Sequence, residues 1–358
     1  MNNLTSKTIE LLRFPLITGV VFVHNYTFVC DVSGGKLIAD TFPITYYVST
    51  LFSEILGRVS VPLFFFISGY LFFYKVDKFN ISIYWLKLRR RFRTLLIPYL
   101  FWNLLFLVIY LSVSSIPYFS VFFAGKYINL TGALFGSLDS RGILTYPAAI
   151  QFWFIRDLIV CVIISPLLFQ IIMKTRNFGV ILLGISWLLG IEIPYIGIRG
   201  FSMTGLFFFS FGAWLSCNRK DITNICDYLK FIAFFYPGIV ITDLLTKSLS
   251  VNPYIHRIGI LSGLILCLLF TAWIIKKTDI RPAATLTSAT FFIYAIHEPW
   301  LLSQLRKVTY IIVNPQSDLC ITLCYFGLVA LVIIISIYLY HIMKHIMPSF
   351  TDFITGCR

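Results

Sequence analysis

Charged residues are scarce in this sequence, and their scarcity limits the class of protein that it can encode. Only 12% of its 358 residues are Asp, Glu, Lys or Arg, whereas 58% are hydrophobic. A soluble domain carries about 25% charged residues, so the composition predicts a polytopic protein embedded in the lipid bilayer. Acidic residues are scarcer than basic ones, 15 against 29. The basic residues fall at the ends of apolar runs, which membrane topology explains, so no nucleic-acid partner is expected.

The sequence also lacks the motifs of several common functional sites. Its eight cysteines include no C-x-x-C pair and no Cys/His spacing typical of a metal site. We therefore expect neither a disulfide nor a metal. It has no glycine-rich phosphate loop, no G-x-S-x-G elbow and no H-E-x-x-H helix. The candidates for chemistry are isolated polar residues inside apolar segments.

Long apolar runs are abundant and predict an all-α fold, a polytopic bundle of about ten transmembrane helices. A helix that crosses the bilayer needs about 17–25 residues, and the runs at 59–74 and 178–192 are shorter. Each of these two is either extended by polar neighbours or partly re-entrant. The predicted spans are 10–30, 59–74, 94–114, 150–173, 178–192, 200–217, 231–249, 258–275, 284–303 and 319–341.

The distribution of basic residues predicts the orientation of this bundle. Of the 29 Lys and Arg residues, 19 fall on the side that holds both termini, which places both termini in the cytoplasm. We expect one membrane domain over 1–345 and a short cytoplasmic tail over 346–358. The largest connection on the far side, roughly 115–149, is polar and aromatic, and loops of this kind often bind ligands.

Arg13 and His24 lie in the first apolar run. Eleven residues make about three turns of a helix, so both side chains share one face, roughly 16 Å apart along the axis. An ionisable residue inside a span is costly and marks a functional site by default. His24 is a candidate proton acceptor because imidazole titrates near neutrality in water. The alternatives are a buried His24 bonded to a carbonyl, and an Arg13 that reaches the headgroups.

A basic cluster precedes the third span. Arg89, Arg90 and Arg93 are helical neighbours in KLRRRFRTLLIPYLFW, residues 87–102. Guanidinium groups bind phosphate through two parallel hydrogen bonds, which predicts a phosphate site at the cytoplasmic mouth of the bundle. The alternative is a topology signal or a contact with anionic lipid.

A second histidine, His297, precedes Glu298 and Pro299 in IYAIHEPW, residues 293–300. A histidine beside a carboxylate could orient an acceptor or shuttle a proton. Equally, the motif could end the ninth span at the membrane surface, with Trp300 in the interfacial aromatic belt. Both interpretations stay open.

Three further patterns predict packing or ion pairs. Ser68 and Gly69 are small and favour the close approach of two helices. Arg156 and Asp157 are adjacent in sequence and do not face each other on a helix, so each is expected to pair with another helix. Asp243 and Lys247 are four residues apart and are expected to pair with each other.

Five motifs in this order resemble the acyltransferase-3 family, over residues from about 6 to about 345. They are the Arg13–His24 arrangement, VPLFFFISGYLFF at 61–73, RRRFRTLLIPYLFW at 89–102, FWFIRDLIV at 152–160 and IYAIHEPW at 293–300. The resemblance implies a ten-span O-acyltransferase of the bacterial cytoplasmic (inner) membrane. Such enzymes take an acyl group, usually acetyl, from cytoplasmic acyl-CoA. They transfer it to a hydroxyl of a cell-surface glycan or its lipid-linked precursor.

The resemblance also implies roles for individual residues. The family's first-span Arg and His correspond to Arg13 and His24, and its late-span His corresponds to His297, although many relatives lack Glu298. Its basic cluster corresponds to Arg90 and Arg93, with the neighbours Arg89 and Arg91 ambiguous. Some relatives carry a C-terminal esterase-like domain, which is not expected here. Transfer is then completed by the membrane domain or by a partner protein of glycan synthesis.

Together these observations give one mechanistic hypothesis and one rival. Arg89, Arg90 and Arg93, with Arg13, hold the CoA phosphates, and His24 acts either as general base or as a transient acyl carrier. Acetyl, succinyl and other acyl groups all remain possible. The rival is a multi-pass transporter or flippase without acyl chemistry, because intramembrane Arg, His and Asp also mark transport pathways.

Overall fold

The computed structural model describes residues 3–34, 39–76, 79–114, 130–136, 147–193, 200–223, 229–278 and 280–356. All the regular elements in these ranges are helices, which confirms the all-α class for the described part of the chain. In chain order they are α1 (Asn3–Val32), α2 (Pro43–Phe73), α3 (Ile81–Val113), α4 (Leu130–Phe135), α5 (Trp153–Ile163), α6 (Ser165–Thr175), α7 (Asn177–Leu188), α8 (Met203–Cys217), α9 (Leu229–Leu245), α10 (Asn252–Thr278), α11 (Ala284–Ile296), α12 (Leu302–Ile312), α13 (Asp318–Ile346) and α14 (Pro348–Thr355).

Four of these helices are long and apolar enough to cross a membrane: α2, α3, α10 and α13. The pair α5 and α6 passes the same test together but is bent by 64°. The helices α7 and α8 are apolar but shorter. By length and composition the described residues thus contain four or five spans of a multi-pass protein, and the predicted count of about ten stays a prediction.

The second predicted span is part of a longer helix. The run 59–74 forms the C-terminal half of α2, which begins at Pro43, so the alternative of an extended span is the one observed. From Thr50 to Leu56 this helix has wider turns of the π type. Glu54 and Arg58 pair at 2.8 Å within this region and therefore lie inside the helix rather than at its end.

Two predicted spans are broken. The run 150–173 divides at Ile164 into α5 and α6, because Pro166 at the start of α6 lacks an N–H and disfavours helical geometry before it. The run 284–303 divides at Glu298, whose φ of −128° and ψ of 154° are extended, and α12 begins at Leu302. Each of these two predicted spans therefore contains two helices joined at a break.

Small residues bring α2 and α8 into close contact, as expected from the small residues Ser68 and Gly69 in the sequence. A Cβ atom on Gly69 would overlap the backbone carbonyl of Phe209 in α8. Reciprocally, a Cβ on Gly212 would overlap the carbonyl of Phe66 in α2. The two backbones therefore touch, and only glycine fits at both crossing positions.

One predicted ion pair is confirmed. Asp243 accepts from Lys247 at 2.8 Å, and also from Asn252 and His256 at 2.7 and 2.8 Å, which ties α9 to α10.

For Arg156 the predicted bond to another helix is present, since its Nη1 donates to the Phe135 carbonyl of α4 at 2.9 Å, but the prediction that it does not face Asp157 is wrong. Arg156 and Asp157 pair with each other, Nε to Oδ1 at 3.0 Å, and both are buried. The long Arg156 side chain bends back toward Asp157, a contact that helical spacing alone does not predict.

The C-terminal segment packs against α3. The Trp102 indole N–H donates to the Ile354 carbonyl at 3.0 Å, and the Phe101 ring contacts the rings of Phe350 and Phe353 in α14. The segment predicted as a tail thus contains a docked helix. Of the connection at 115–149, residues 115–129 and 137–146 lie outside the described residues.

Candidate active site

A cavity of about 230 Å³ lies between α1, α2, α3, α5 and α11. The α1 residues that line it are Ile9, Arg13, Ile17 and Val20, whose spacing of three and four defines one helical face. His24 is the next residue on that face, one turn beyond Val20. The face predicted from Arg13 and His24 is therefore the face that α1 turns toward this cavity.

Two arginines supply positive charge to the cavity, Arg13 from α1 and Arg91 from α3. Arg89, Arg90 and Arg93 are exposed and are not among its lining residues. Successive residues of a helix are rotated by about 100°, so one member of such a cluster faces inward while its neighbours face elsewhere. Arg91, which the family resemblance leaves ambiguous, thus lines the same cavity as Arg13.

His24 lies against His297, with ring centroids 5.0 Å apart and planes at 66°. His297 is fully buried. Tyr294 lines the cavity, and its ring centroid is 6.1 Å from that of His297, so it connects the cavity to the two histidines. His24 itself does not line the cavity. The two imidazoles come from opposite ends of the chain and meet where α1 contacts α11.

The hydrogen bonds of His297 determine which ring nitrogen carries the proton. Its Nδ1 lies 2.8 Å from the Tyr294 carbonyl and 3.2 Å from the Ile293 carbonyl. Carbonyls only accept, so Nδ1 is the donor, and in the neutral ring Nε2 keeps a lone pair. The buried Nε2 has no hydrogen-bond partner among the residues that the structure describes. It is therefore free to accept a proton from another group.

Arg306 joins the two histidine segments, and the sequence analysis does not identify it. Its guanidinium donates to the backbone carbonyl of His24 and forms an ion pair with Glu298 at 3.1 Å. Both charged side chains are buried. No local motif distinguishes Arg306 from its exposed neighbour Lys307. Only the chain break at Glu298, which redirects α12 toward α1, brings it inward.

Gln151 supports the backbone at this break. Its amide donates to the Ala295 carbonyl at 2.8 Å and to the Glu298 carbonyl. Carbonyl groups at the C-terminal end of a helix have no donor within the helix, so these two bonds provide one. The Tyr294 hydroxyl donates in turn to the Gln151 carbonyl at 2.5 Å. His297 and Glu298 are thus held in the protein interior, and their depth in the membrane stays a prediction.

Residues 6–341 match the sequence profile of the acyltransferase domain of the acyltransferase-3 family. The chain is also similar to the succinoglycan biosynthesis protein ExoH of Rhizobium meliloti (strain 1021), with 30% identity over 164 residues. That alignment covers 46% of this chain and 42% of the relative, so it spans less than half of either protein. No solved structure matches the chain.

Proposed function

Because the chain belongs to the acyltransferase-3 family, we propose that it transfers an acyl group from acyl-CoA to a hydroxyl of a cell-surface polysaccharide or of its lipid-linked precursor. The name of the similar protein, which refers to succinoglycan biosynthesis, supports a glycan acceptor. Acetyl is the first acyl group to test and succinyl the second. The main support for this proposal is a pair of imidazoles in contact, the half-buried His24 and the buried His297, beside a cavity lined by two arginines.

The cavity suits the donor. CoA is anionic at its nucleotide end and slender along its pantetheine arm. Arg13 and Arg91 would bind phosphate at one end of the cavity, while Phe64, Ile67 and Leu158 give the rest an apolar wall. The pantetheine arm would then extend toward Tyr294, next to the histidines. Arg89, Arg90 and Arg93 remain candidates for phosphate contacts outside the cavity.

The histidine pair suits the chemistry. The acceptor hydroxyl oxygen attacks the thioester carbonyl carbon, a C–O bond forms and the C–S bond breaks. An imidazole nitrogen takes the hydroxyl proton and returns it to the departing thiolate, which leaves as CoA thiol. The lone pair on His297 Nε2 makes this ring a candidate base beside His24. In the alternative route the acyl group rests on an imidazole nitrogen between two transfers.

The decisive experiment uses purified protein in lipid nanodiscs with radiolabelled acetyl-CoA or succinyl-CoA and a glycan acceptor. We expect label in the glycan with the unmodified protein and none with His24→Ala. Normal elution and thermal stability of the variant would show that it folds. A wild-type protein that moves the glycan across the bilayer and never transfers label would be a transporter, contrary to the proposal.

The donor site has its own test, in which neighbouring arginines serve as matched variants. Arg91→Gln should raise the KM for acyl-CoA by roughly tenfold or more, since a phosphate contact contributes about 1.5–3 kcal/mol. Arg89→Gln removes the same charge outside the cavity and should have a smaller effect. Equal effects of the two variants would indicate a general electrostatic attraction instead of a cavity contact.

A further inference from the structure

A partly exposed ion pair lies in the middle of α2. Arg58 is the central residue of this helix (Pro43–Phe73), which is long and apolar enough to cross a membrane. It pairs with Glu54 at 2.8 Å, and the Arg58 and Glu54 side chains are 45% and 26% exposed. A charge at the centre of a spanning helix is costly where it meets lipid. The exposed side of this pair is therefore expected to face water or a polar ligand.

The ion pair continues one wall of the cavity that suits acyl-CoA, which we call the donor cavity. From α2 this cavity is lined by Val61, Phe64 and Ser68, whose spacing of three and four defines one helical face. Arg58 lies about one turn before Val61, and Glu54 about one turn before Arg58, so both lie on or near that face. The ion pair is therefore located just beyond one end of the donor cavity.

His24 lies at the same end of the donor cavity. The α1 residues that line the cavity run from Ile9 to Val20, and His24 follows one turn later. His24 is half-buried, whereas His297 is fully buried, so His24 is the more accessible of the two imidazoles. The donor cavity thus leads to an imidazole that is not enclosed on every side.

A close crossing of α1 and α2 holds the ion pair beside His24. A Cβ atom on Gly57 would lie 2.9 Å from the Gly19 carbonyl oxygen and 2.8 Å from the Val23 side chain, so the two helices touch here. Gly57 directly precedes Arg58, and Val23 directly precedes His24. Arg58 is near enough for its charge to act on the His24 ring.

The polar groups of the ion pair match those of a sugar. Arg58 binds both Glu54 oxygens through Nη2 alone, which leaves the N–H groups of Nε and Nη1 without a partner among the described residues. Each Glu54 oxygen can accept a further hydrogen bond. Neighbouring sugar hydroxyls both donate and accept, so one can donate to Glu54 while the next accepts from Arg58. A phosphate only accepts and is repelled by Glu54, and a hydrocarbon chain does neither.

We propose that Glu54 and Arg58 bind a sugar ring of the acceptor through two neighbouring hydroxyls and hold a further hydroxyl against His24. This inference rests on the proposed function and adds the acceptor site to it. Acyl-CoA would reach His24 through the donor cavity, and the sugar would reach it from the side of the ion pair. In the predicted orientation of the bundle, that side is the one away from the cytoplasm.

Two ion pairs provide matched variants for the test. Glu54→Gln with Arg58→Gln removes both charges at the proposed site and leaves neither one unpaired. Lys344→Gln with Asp352→Asn does the same at an ion pair between α13 and α14, which is 38% and 39% exposed and does not line the donor cavity. Transfer is measured in nanodiscs with labelled acyl-CoA and the glycan that the wild-type protein labels. Elution and thermal unfolding show whether each variant folds.

We expect the Glu54→Gln, Arg58→Gln variant to raise the KM for the acceptor at least about tenfold, the effect of losing a hydrogen bond to a charged group. The KM for acyl-CoA should not change, and the Lys344→Gln, Asp352→Asn variant should resemble the wild type. An unchanged acceptor KM would overturn the inference and leave the proposed function intact. The same holds if only kcat falls, because the pair would then act on His24 through its charge alone.

Exchange of the two side chains separates sugar binding from a structural role. Glu54→Arg with Arg58→Glu keeps an ion pair of the same residues one turn apart, so a pair that only stabilises α2 would retain wild-type kinetics. A sugar bound in one orientation depends on which position holds the donor. We therefore expect the acceptor KM to rise in this variant as well, and a wild-type KM would contradict the inference.

A binding measurement separates the two proposals. Saturation-transfer NMR with cellotetraose, a neutral oligosaccharide of glucose, detects a bound sugar without acyl-CoA. We expect a signal with the wild type and a signal at least about fivefold weaker with the Glu54→Gln, Arg58→Gln variant, which lacks the charged partners. Sugar binding of this kind in a protein that never transfers an acyl group would support the site and contradict the proposed function. Equal signals from the two proteins, or none from the wild type, would overturn the inference.

Discussion

Two backbone carbonyls decide which nitrogen of His297 can accept a proton. The carbonyls of Ile293 and Tyr294 both face Nδ1, so the acceptor lone pair lies on Nε2. Substitution by asparagine separates these roles, because the asparagine amide can replace the Nδ1–H donor and has nothing at the Nε2 position.

We expect His297→Asn to fold normally and to lose about 10²–10⁴-fold in acyl transfer, the usual contribution of a general base. The measurement is the initial rate with labelled acyl-CoA. His345→Asn, at an exposed histidine near the end of α13, is the control and should be unaffected. A His297→Asn protein with near-normal rates would exclude His297 from proton transfer.

Arg306 places a cation between the two histidine segments, and its loss should affect stability and activity separately. Arg306→Met leaves the Glu298 carboxylate buried without a partner, which should cost about 3–5 kcal/mol in unfolding free energy. Adding Glu298→Gln should recover most of that loss and leave transfer impaired. Thermal unfolding and turnover of both variants check this expectation.

Tyr310→Phe is the control for Arg306. Tyr310 lies one turn further along α12 and donates to the Phe28 carbonyl of α1 at 3.0 Å, so it joins the same two helices. We expect a loss of about 0.5–1.5 kcal/mol in stability and unchanged kcat. If Tyr310→Phe lowers kcat as much as the double variant does, Arg306 acts only by docking α12 on α1.

At the scale of helices, two features form the site: the break after α11 and the close contact of α2 with α8. The break lets Glu298 leave the helix and lets Gln151 bond to the carbonyls exposed there. In α2, Ser68 lines the cavity that contains Arg13 and Arg91, and the adjacent Gly69 contacts α8. Both features depend on a few residues with special backbone properties.

The glycine contact predicts a stability difference between two conservative substitutions. Gly212→Ala would drive a methyl group into the Phe66 carbonyl, a backbone atom that cannot rotate away, and should cost about 1–3 kcal/mol. Gly327→Ala in α13 meets no atom within 4 Å and should be neutral or stabilising by up to about 1 kcal/mol. Thermal unfolding in detergent compares them. Equal unfolding temperatures would show that α2 and α8 can separate without cost.

At the scale of the whole molecule, the arrangement is two cavities on opposite faces of one helix, with a pair of imidazoles at its end. The cavity lined by Arg13 and Arg91 contains the positive charge, and a second cavity, lined by Phe292, Ala295 and Ile296 of α11, is apolar. For acyl-CoA to enter from the cytoplasm, Arg13 and Arg91 must lie toward that side. The distribution of basic residues predicts this orientation.

Reporter fusions test the orientation. Green fluorescent protein fused after residue 356 should fluoresce, and alkaline phosphatase at the same position should be inactive, because both termini are predicted to be cytoplasmic. The opposite pattern would place Arg13 and Arg91 on the far side of the membrane. A cytoplasmic donor would then have no route to them.

Much of this architecture is readable in the sequence because it is local. Hydropathy predicts the apolar helices α2, α3, α10 and α13, and helical spacing predicts the shared face of Arg13 and His24 and the pair Asp243–Lys247. Non-local features were missed. The breaks at Ile164 and Glu298 depend on how prolines are accommodated, and the Arg156–Asp157 pair depends on the conformation of a long side chain.

The sequence alone determined that this is a helical membrane protein with an imidazole on the first helix, since hydrophobicity and helical periodicity act over a few turns. Only the tertiary structure decided that His297 is the neighbour of His24, that Arg91 lines the cavity in place of Arg90 or Arg93, and that Arg306 joins the two histidine segments. The physical reason is rotation: a turn of about 100° per residue, and one chain break at Glu298, determine which side chain points inward.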